Sequence, residues 1–386
     1  MIYIVRHISW LILLLLMAAC TTEEIIERNN GGETQGSGVV IDFQAGNKKK
    51  TRTTLTGSDS IQHVTYVHLY IFEGSDPAST CIGAENVEWR QPVGPTARQK
   101  YMMKIKLTPH ETYTLLAVGL DCRLDADGKA NLTTNSAATY GLPDGIVAGT
   151  PTTPDGALAV AGTSLGEAVA RLTAAKTQAD IAGSELFAGS VVIQAASDGT
   201  AMTTIDLWRR VAGVQGYFTN IPTGVTRIKL ILYKEQYQDV PLMKRTVGDH
   251  GSTPLTGSTV LLDIPVTADE LQKETLTADD GTTYTKLPGS VLQAVYMLPL
   301  DAPPAGTGTL VLKTYKGDVE EKTYKVNAKL QNGMLVNSFP ILANHFYTLG
   351  IKNSTIDEPI DLGGTIDETV FIRVDGSWQA DVDIPM

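Results

Sequence analysis

The chain has 386 residues, 42% of them apolar and 19% charged, with a formal net charge of -11. Its length exceeds the roughly 100 to 200 residues of a single domain, and its composition is that of a folded protein, so two domains are expected and long disordered stretches are not. With 42 acidic residues against 31 basic ones there is no general basic face for a phosphate backbone, which argues against a nucleic-acid partner.

The first twenty residues, "MIYIVRHISWLILLLLMAAC", place Arg6 ahead of an apolar run at 8–17, followed by Ala18, Ala19 and Cys20. The run is shorter than the roughly 20 residues a bilayer span takes, so it reads as a secretory signal. Small residues before a cysteine suit a lipoprotein signal peptidase, which leaves Cys20 lipidated at the head of the exported chain. The alternative is an ordinary signal peptide with an incidental cysteine. At about 0.8 kcal/mol per buried CH₂, several acyl chains on Cys20 would hold the protein durably on a membrane.

Residues 21–38 are polar, glycine-rich and without period, as a tether would be. "VVIDFQ" (39–44) then alternates, with Val39, Ile41 and Phe43 on one face of a half-buried strand. "NKKKTRTTLTG" (47–57) comes next, a basic island in an acidic protein, and reads as a solvated turn or a site meant to be cut.

Strands are expected at 63–72, 100–107 and 112–120, and a helix at 164–176, where Leu165, Val169 and Leu172 form a stripe with Ser164 and Glu167 as a capping box. Strand character resumes at 187–195 and 204–218, and continues at 227–233, 258–266, 291–300, 308–317, 339–352 and 369–378. Many short strands joined by Gly and Pro turns predict an all-β protein of two β-sandwiches in tandem, with one short helix in the first. The segments expected are a signal peptide (1–20), a tether and first strand (21–52), an N-terminal sandwich (53–200) and a C-terminal sandwich (201–386).

Cys81 and Cys122 remain once Cys20 is modified, and in an oxidising compartment they either pair or sit as two small buried side chains. From residue 370 every second position down to Met386 is apolar or small: Val370, Ile372, Val374, Gly376, Trp378, Ala380, Val382, Ile384. A repeat this long exceeds an ordinary strand of about 5 to 6 residues. Either its apolar face is meant for another molecule, or it is one long strand bent across both sheets of its own sandwich.

"GTSLG" (162–166) matches the nucleophile elbow G-x-S-x-G, but an α/β-hydrolase needs a doubly wound parallel sheet and this chain offers one helix among strands. His63 and His68 are an odd number apart and point to opposite faces of a strand, and "DADGKAN" (125–131) lacks the closing Glu of a calcium loop. No enzyme, metal site or cofactor is therefore expected.

Several motifs together resemble the fimbrillins of Bacteroidales, the FimA-type lipoprotein pilins. The lipoprotein signal, the tether, the extended "VVIDFQ" and the arginine beyond it match the family's precursors. "IDLWRRVAGV" (205–214) resembles the strand that opens the family's second domain, and "VYMLP" (295–299) and "TLVLKTY" (309–315) resemble its paired central strands. "ILANHFYTLGIK" (341–352) with "PIDLGGTIDETVFIRVDGSW" (359–378) is similar to its closing signature. The resemblance implies two transthyretin-like sandwiches, a lipid anchor in the outer membrane with the protein exposed on the cell surface, assembly into a surface fimbrium with other copies or other fimbrial subunits, and cutting by an arginine-specific protease between Arg52 and Thr53. The strand lost with the cut would be replaced by a donor strand at 370–386 of a neighbour, on Val370, Ile372, Val374, Trp378, Val382 and Ile384. An anchor or tip subunit of the same family is the alternative, and a surface glycan-binding lipoprotein is another.

Overall fold

Alternating and doubly apolar runs make strands the dominant element of the computed structural model, which describes residues 39–45, 64–88, 97–127, 129–142, 164–243, 250–272, 275–277, 283–329, 334–352, 356–365 and 368–375. The main strands are β1 (Val39–Ala45), β2 (Tyr66–Glu73), β3 (Cys81–Glu88), β4 (Ala97–Met102), β5 (Thr112–Leu120), β6 (Val169–Leu172), β7 (Phe187–Gln194) and β8 (Ala201–Arg209). They continue with β9 (Ala212–Thr219), β10 (Arg227–Leu232), β11 (Val260–Pro265), β12 (Val291–Met297), β13 (Leu310–Lys316), β14 (Val319–Lys329), β15 (Phe346–Leu349) and β16 (Thr369–Asp375). Three helices of five residues each, α1 (Asn135–Thr139), α2 (Gln178–Ala182) and α3 (Ala268–Gln272), lie between them.

The first sheet has the order β3-β2-β5-β7-β8-β1-β4. It doubles over at the β7–β8 hairpin, where only Phe187↔Arg209 and Ala188↔Trp208 are paired before the two strands part. One layer is then β3-β2-β5-β7 and the other β8-β1-β4. Val39, Ile41, Phe43, Ile205 and Leu207 from one layer pack against Val67, Leu69, Leu115 and Phe187 from the other. The alternate residues of β2 and β5, among them Tyr70, Leu116 and Val118, join a second cluster with Tyr140, Tyr296 and Phe346. Burial on both faces is why β2 and β5 read as nearly continuous apolar runs.

The second sheet has the order β11-β10-β13-β14-β16-β15-β9-β12. It doubles over along β16, whose residues 369–372 pair with β14 in parallel while residues 373–375 pair with β15 in antiparallel fashion. A strand that changes partners midway forms the corner of a sandwich. Val370 and Ile372 lie in the core of that sandwich with Tyr324, Val326, Tyr347 and Leu349.

Four expectations need correction. β8, at residues 201–209, belongs to the first sheet, so the chain crosses to the second sheet between Arg209 and Ala212 rather than at 200, and "IDLWRRVAGV" is divided between two sheets. No helix covers 164–176: one turn at Leu165–Glu167 gives way to β6, because Val169 to Arg171 find a ladder with Asp239–Pro241 and Leu172 pairs with Tyr140. The capping interaction occurs instead at α2, where the Thr177 N–H donates to the Asp180 carboxylate at 2.9 Å. β12 and β13 do not pair with each other; β12 pairs with β9, and β13 with β10 and β14.

Candidate assembly site

β1 is the first strand of the described chain and lies inside a sheet rather than at its edge. It runs parallel to β8 over seven residues, Val39↔Ala201 to Ala45↔Leu207, and antiparallel to β4 from Val40↔Met102 to Ala45↔Ala97. Val39, Ile41 and Phe43 are fully buried, while Val40, Asp42 and Gln44 are half-buried on the outer face. The two-residue period of "VVIDFQ" therefore translates directly into a strand with an inner and an outer side.

The outer wall of this slot, β4, has a second support. Glu85 on β3 is buried, and its carboxylate accepts from the Tyr101 hydroxyl at 2.6 Å, the Lys104 N–H at 2.8 Å and the Ile105 N–H at 2.5 Å. The Met103 N–H donates to the Val39 carbonyl at 2.8 Å, so the same short segment is tied both to β3 and to β1. Burial, and after it the bond to Glu85, raises the Tyr101 hydroxyl far above the ordinary tyrosine value, so it stays a donor. A carboxylate with three donors is a satisfied buried charge and serves as a clamp between the two layers. Sequence reasoning passed over Glu85 because "CIGAENVE" carries no clean period; a lone acid in a run of small and apolar residues was the available signal.

The proposed processing and lipidation residues Cys20, Arg52 and Thr53 lie outside the described residues, as do Trp378, Val382 and Ile384. Val370 and Ile372, expected in a donated strand, are instead buried in their own sandwich, and Val374 packs partly against it. For residues 369–375 the bent strand crossing both sheets is the reading that holds, because their ladder partners β14 and β15 are in the same chain.

No disulfide joins Cys81 and Cys122; both are buried in the cluster beneath β2 and β5. The Cys81 thiol donates to the Gly83 carbonyl at 3.3 Å and is pushed up to about 11 by burial, which makes it a poor nucleophile. The Cys122 sulfur accepts from the Thr65 hydroxyl at 3.5 Å. Ser164 forms a single bridge with Thr80 ahead of one helical turn, not a strand-to-helix elbow. Asp125 Oδ1 accepts from the Asp127 and Lys129 N–H groups at 2.9 and 2.8 Å, closing a turn. Among the described residues no group of three or more His, Cys, Asp or Glu is arranged to hold a metal, and no helix is long and apolar enough to cross a membrane.

The family model for the fimbrillin-A associated anchor proteins Mfa1 and Mfa2 matches residues 33–236, which is more than half of the chain. No curated protein matches it. Among solved structures, the fimbrial anchor protein Mfa2 from Porphyromonas gingivalis aligns at 14% identity and a TM-score of 0.40, covering 88% of this chain and 97% of that one. The fimbrillin FimA from Porphyromonas gingivalis W83 aligns at 12% identity and 0.40, with 88% and 97% covered. An adhesin, so described, from Bacteroides thetaiotaomicron VPI-5482 aligns at 9% identity and 0.44, with 90% and 98% covered. On the family match, the chain belongs to the fimbrillin-A associated anchor proteins Mfa1 and Mfa2 and is a fimbrial component.

Proposed function

We propose that this fimbrial component is exported as a lipoprotein acylated on Cys20, is cut after Arg52 at the cell surface, and joins the fimbrium by losing β1 and accepting a strand from a neighbour. One observation carries the reading: β1, the first strand among the described residues, is paired on both sides and contributes three buried side chains, and the segment 46–63, which contains Arg52, joins it to the strands that follow. Burial of Val39, Ile41 and Phe43 stabilises by roughly 1.5 to 3 kcal/mol each. Each buried peptide group that loses its partner costs about 1 to 3 kcal/mol. A cut subunit with an empty slot is therefore poorly stable, and a strand of the right period restores it.

The candidate donor is the C-terminal tail beyond β16. Residues 376–386 number eleven against the seven of β1, and Trp378, Val382 and Ile384 fall on one side of an extended chain. Since slot and tail are different surfaces, each contact leaves one of each open, and the assembly extends as a filament. An arginine-specific protease is the partner in maturation, and other fimbrial subunits are the partners in assembly. The family's anchor proteins favour a second reading, in which this chain keeps both β1 and its lipid and serves at the base.

The test is to express the chain ended after Asp375 and, separately, the Arg52→Ala chain. The first should give no ladder on non-denaturing electrophoresis, and the second should leave lipidated monomers at the membrane. Undiminished ladders from the shortened chain would remove the tail as donor. Thr53 as the first residue of the surface form supports the polymerising subunit; Cys20 supports the anchor.

A further inference from the structure

A second surface concavity lies at the stem of the β7–β8 hairpin, on the outer face of β8, where Thr204 and Asp206 are ladder partners of Asp42 and Gln44 on β1. It encloses about 370 Å³ and is lined by Ser190, Thr204, Asp206 and Trp208 from the hairpin and by Leu242 and Asn344 from the later half of the chain. A volume of that size falls in the range of small-ligand sites, roughly 300 to 1,000 Å³. Trp208 is the one tryptophan among the described residues, and it is half-buried on the outer face of β8. Thr204, Asp206 and Trp208 are two apart along the strand and so share that face. Directly across the ladder from Trp208 stands Ala188, which is buried in the second cluster.

The chemistry of the lining is specific. Ser190, Thr204 and Asp206 are exposed, and among the described residues neither their side chains nor the indole N–H of Trp208 make a hydrogen bond or ion pair. The two neighbouring cations are committed elsewhere: Arg209 pairs with the Glu185 carboxylate, and the Arg210 Nε–H donates to the Pro241 carbonyl at 2.9 Å. The site thus offers an apolar aromatic plane, one carboxylate acceptor, one ring N–H donor and two hydroxyls that both give and accept. An anion is disfavoured by Asp206. At the stem itself β7 and β8 leave no room for a further strand, since a Cβ on Gly189 would stand 2.0 Å from the Asp206 carbonyl oxygen.

We infer that this concavity is a carbohydrate site, in which a pyranose ring lays its C–H face on Trp208 and donates adjacent hydroxyls to the Asp206 carboxylate. Ser190 and Thr204 complete the hydroxyl contacts, and the buried Leu242 and Asn344 lie at the base of the site. Burying part of an aromatic face against a ring with few other contacts gives weak binding, in the range where ligand-observed methods read it. The lining comes from β7, β8 and the later half of the chain, and it gives a fimbrial component a means of touching a glycan-coated surface.

The experiment is saturation-transfer NMR on the full chain with the methyl glycosides of glucose, galactose, mannose and N-acetylglucosamine at millimolar concentrations. At least one should show transfer strongest at its ring C–H protons, and Asp206→Asn and Trp208→Ala should each weaken it at least tenfold. Should Trp208→Ala unfold, Asp206→Asn and Thr204→Ala still address the site, since both positions are exposed. Transfer to none of the four glycosides, or transfer that survives these substitutions unchanged, overturns the assignment.

Discussion

His68 illustrates how a single residue sets the pH response of this fold. It faces Asn86 across the β2–β3 ladder and meets the Tyr66 ring edge-on, with 4.6 Å between ring centres. Burial lowers its pKa from 6.5 to about 3, and Asn86 opposes that only in part. Above pH 6.5 neither folded nor unfolded chain protonates this ring, and its contribution is complete. As pH falls from 6.5 towards 3 the unfolded chain takes up a proton that the folded chain refuses, so stability declines by up to about 1.4 kcal/mol per pH unit from this group. Urea unfolding at pH 7 and pH 5 should show the loss, and His68→Phe should flatten it; an equal loss in both chains would assign the acid sensitivity elsewhere. Glu85 makes a different prediction. Glu85→Ala strands two main-chain N–H groups and should cost on the order of 3 kcal/mol, with Glu85→Gln costing less because one acceptor remains. A melting temperature unchanged in Glu85→Ala would contradict the clamp. The Arg209–Glu185 pair, 2.5 Å apart and buried beside Phe187, obeys the same logic: Glu185→Ala leaves a buried guanidinium and should cost about 3 to 5 kcal/mol in a denaturant titration.

Strand by strand, legibility depended on the origin of the pattern. β1 and β5 were readable because one has a strict alternation and the other an unbroken apolar run, and burial on one face or two is the consequence of those patterns. β3 and β14 were not, since "CIGAENVE" mixes small and acidic residues and "VEEKTYKVNAK" opens on exposed polar positions before Tyr324, Val326 and Ala328 turn inward. The helix expected at 164–176 failed because a stripe of Leu and Val at helical spacing also fits a short strand once a ladder partner is available, and residues 239–241 supply it. Periodicity also could not tell where β16 ends as a resident strand, since Val370 to Met386 keeps one rhythm while only residues 369–375 have ladder partners. That division is testable. Ending the chain after Asp375 should leave the unfolding midpoint close to that of the full chain. Ending it after Glu368 removes Val370 and Ile372 from the core, a loss of roughly 1.5 to 3 kcal/mol each together with the corner of the sandwich, and should give a soluble folded protein only in low yield.

At the scale of the whole molecule, two doubled sheets meet at the short passage from β8 to β9, and the features with functional meaning lie in or near the first. The slot holding β1 is walled by β8 and by the Glu85-clamped β4, and the concavity at Trp208 opens on the outer side of that same β8. Family membership places the chain among fimbrial components, and the physical content of the assembly proposal is that one strand in this slot can be exchanged for another of equal period. Peptide mass mapping of the chain recovered from assembled fimbriae addresses that exchange directly. The proposal predicts that residues 39–45 are absent from the polymer and that Thr53 is its first residue. A polymer in which residues 39–45 remain attached to every subunit would contradict it.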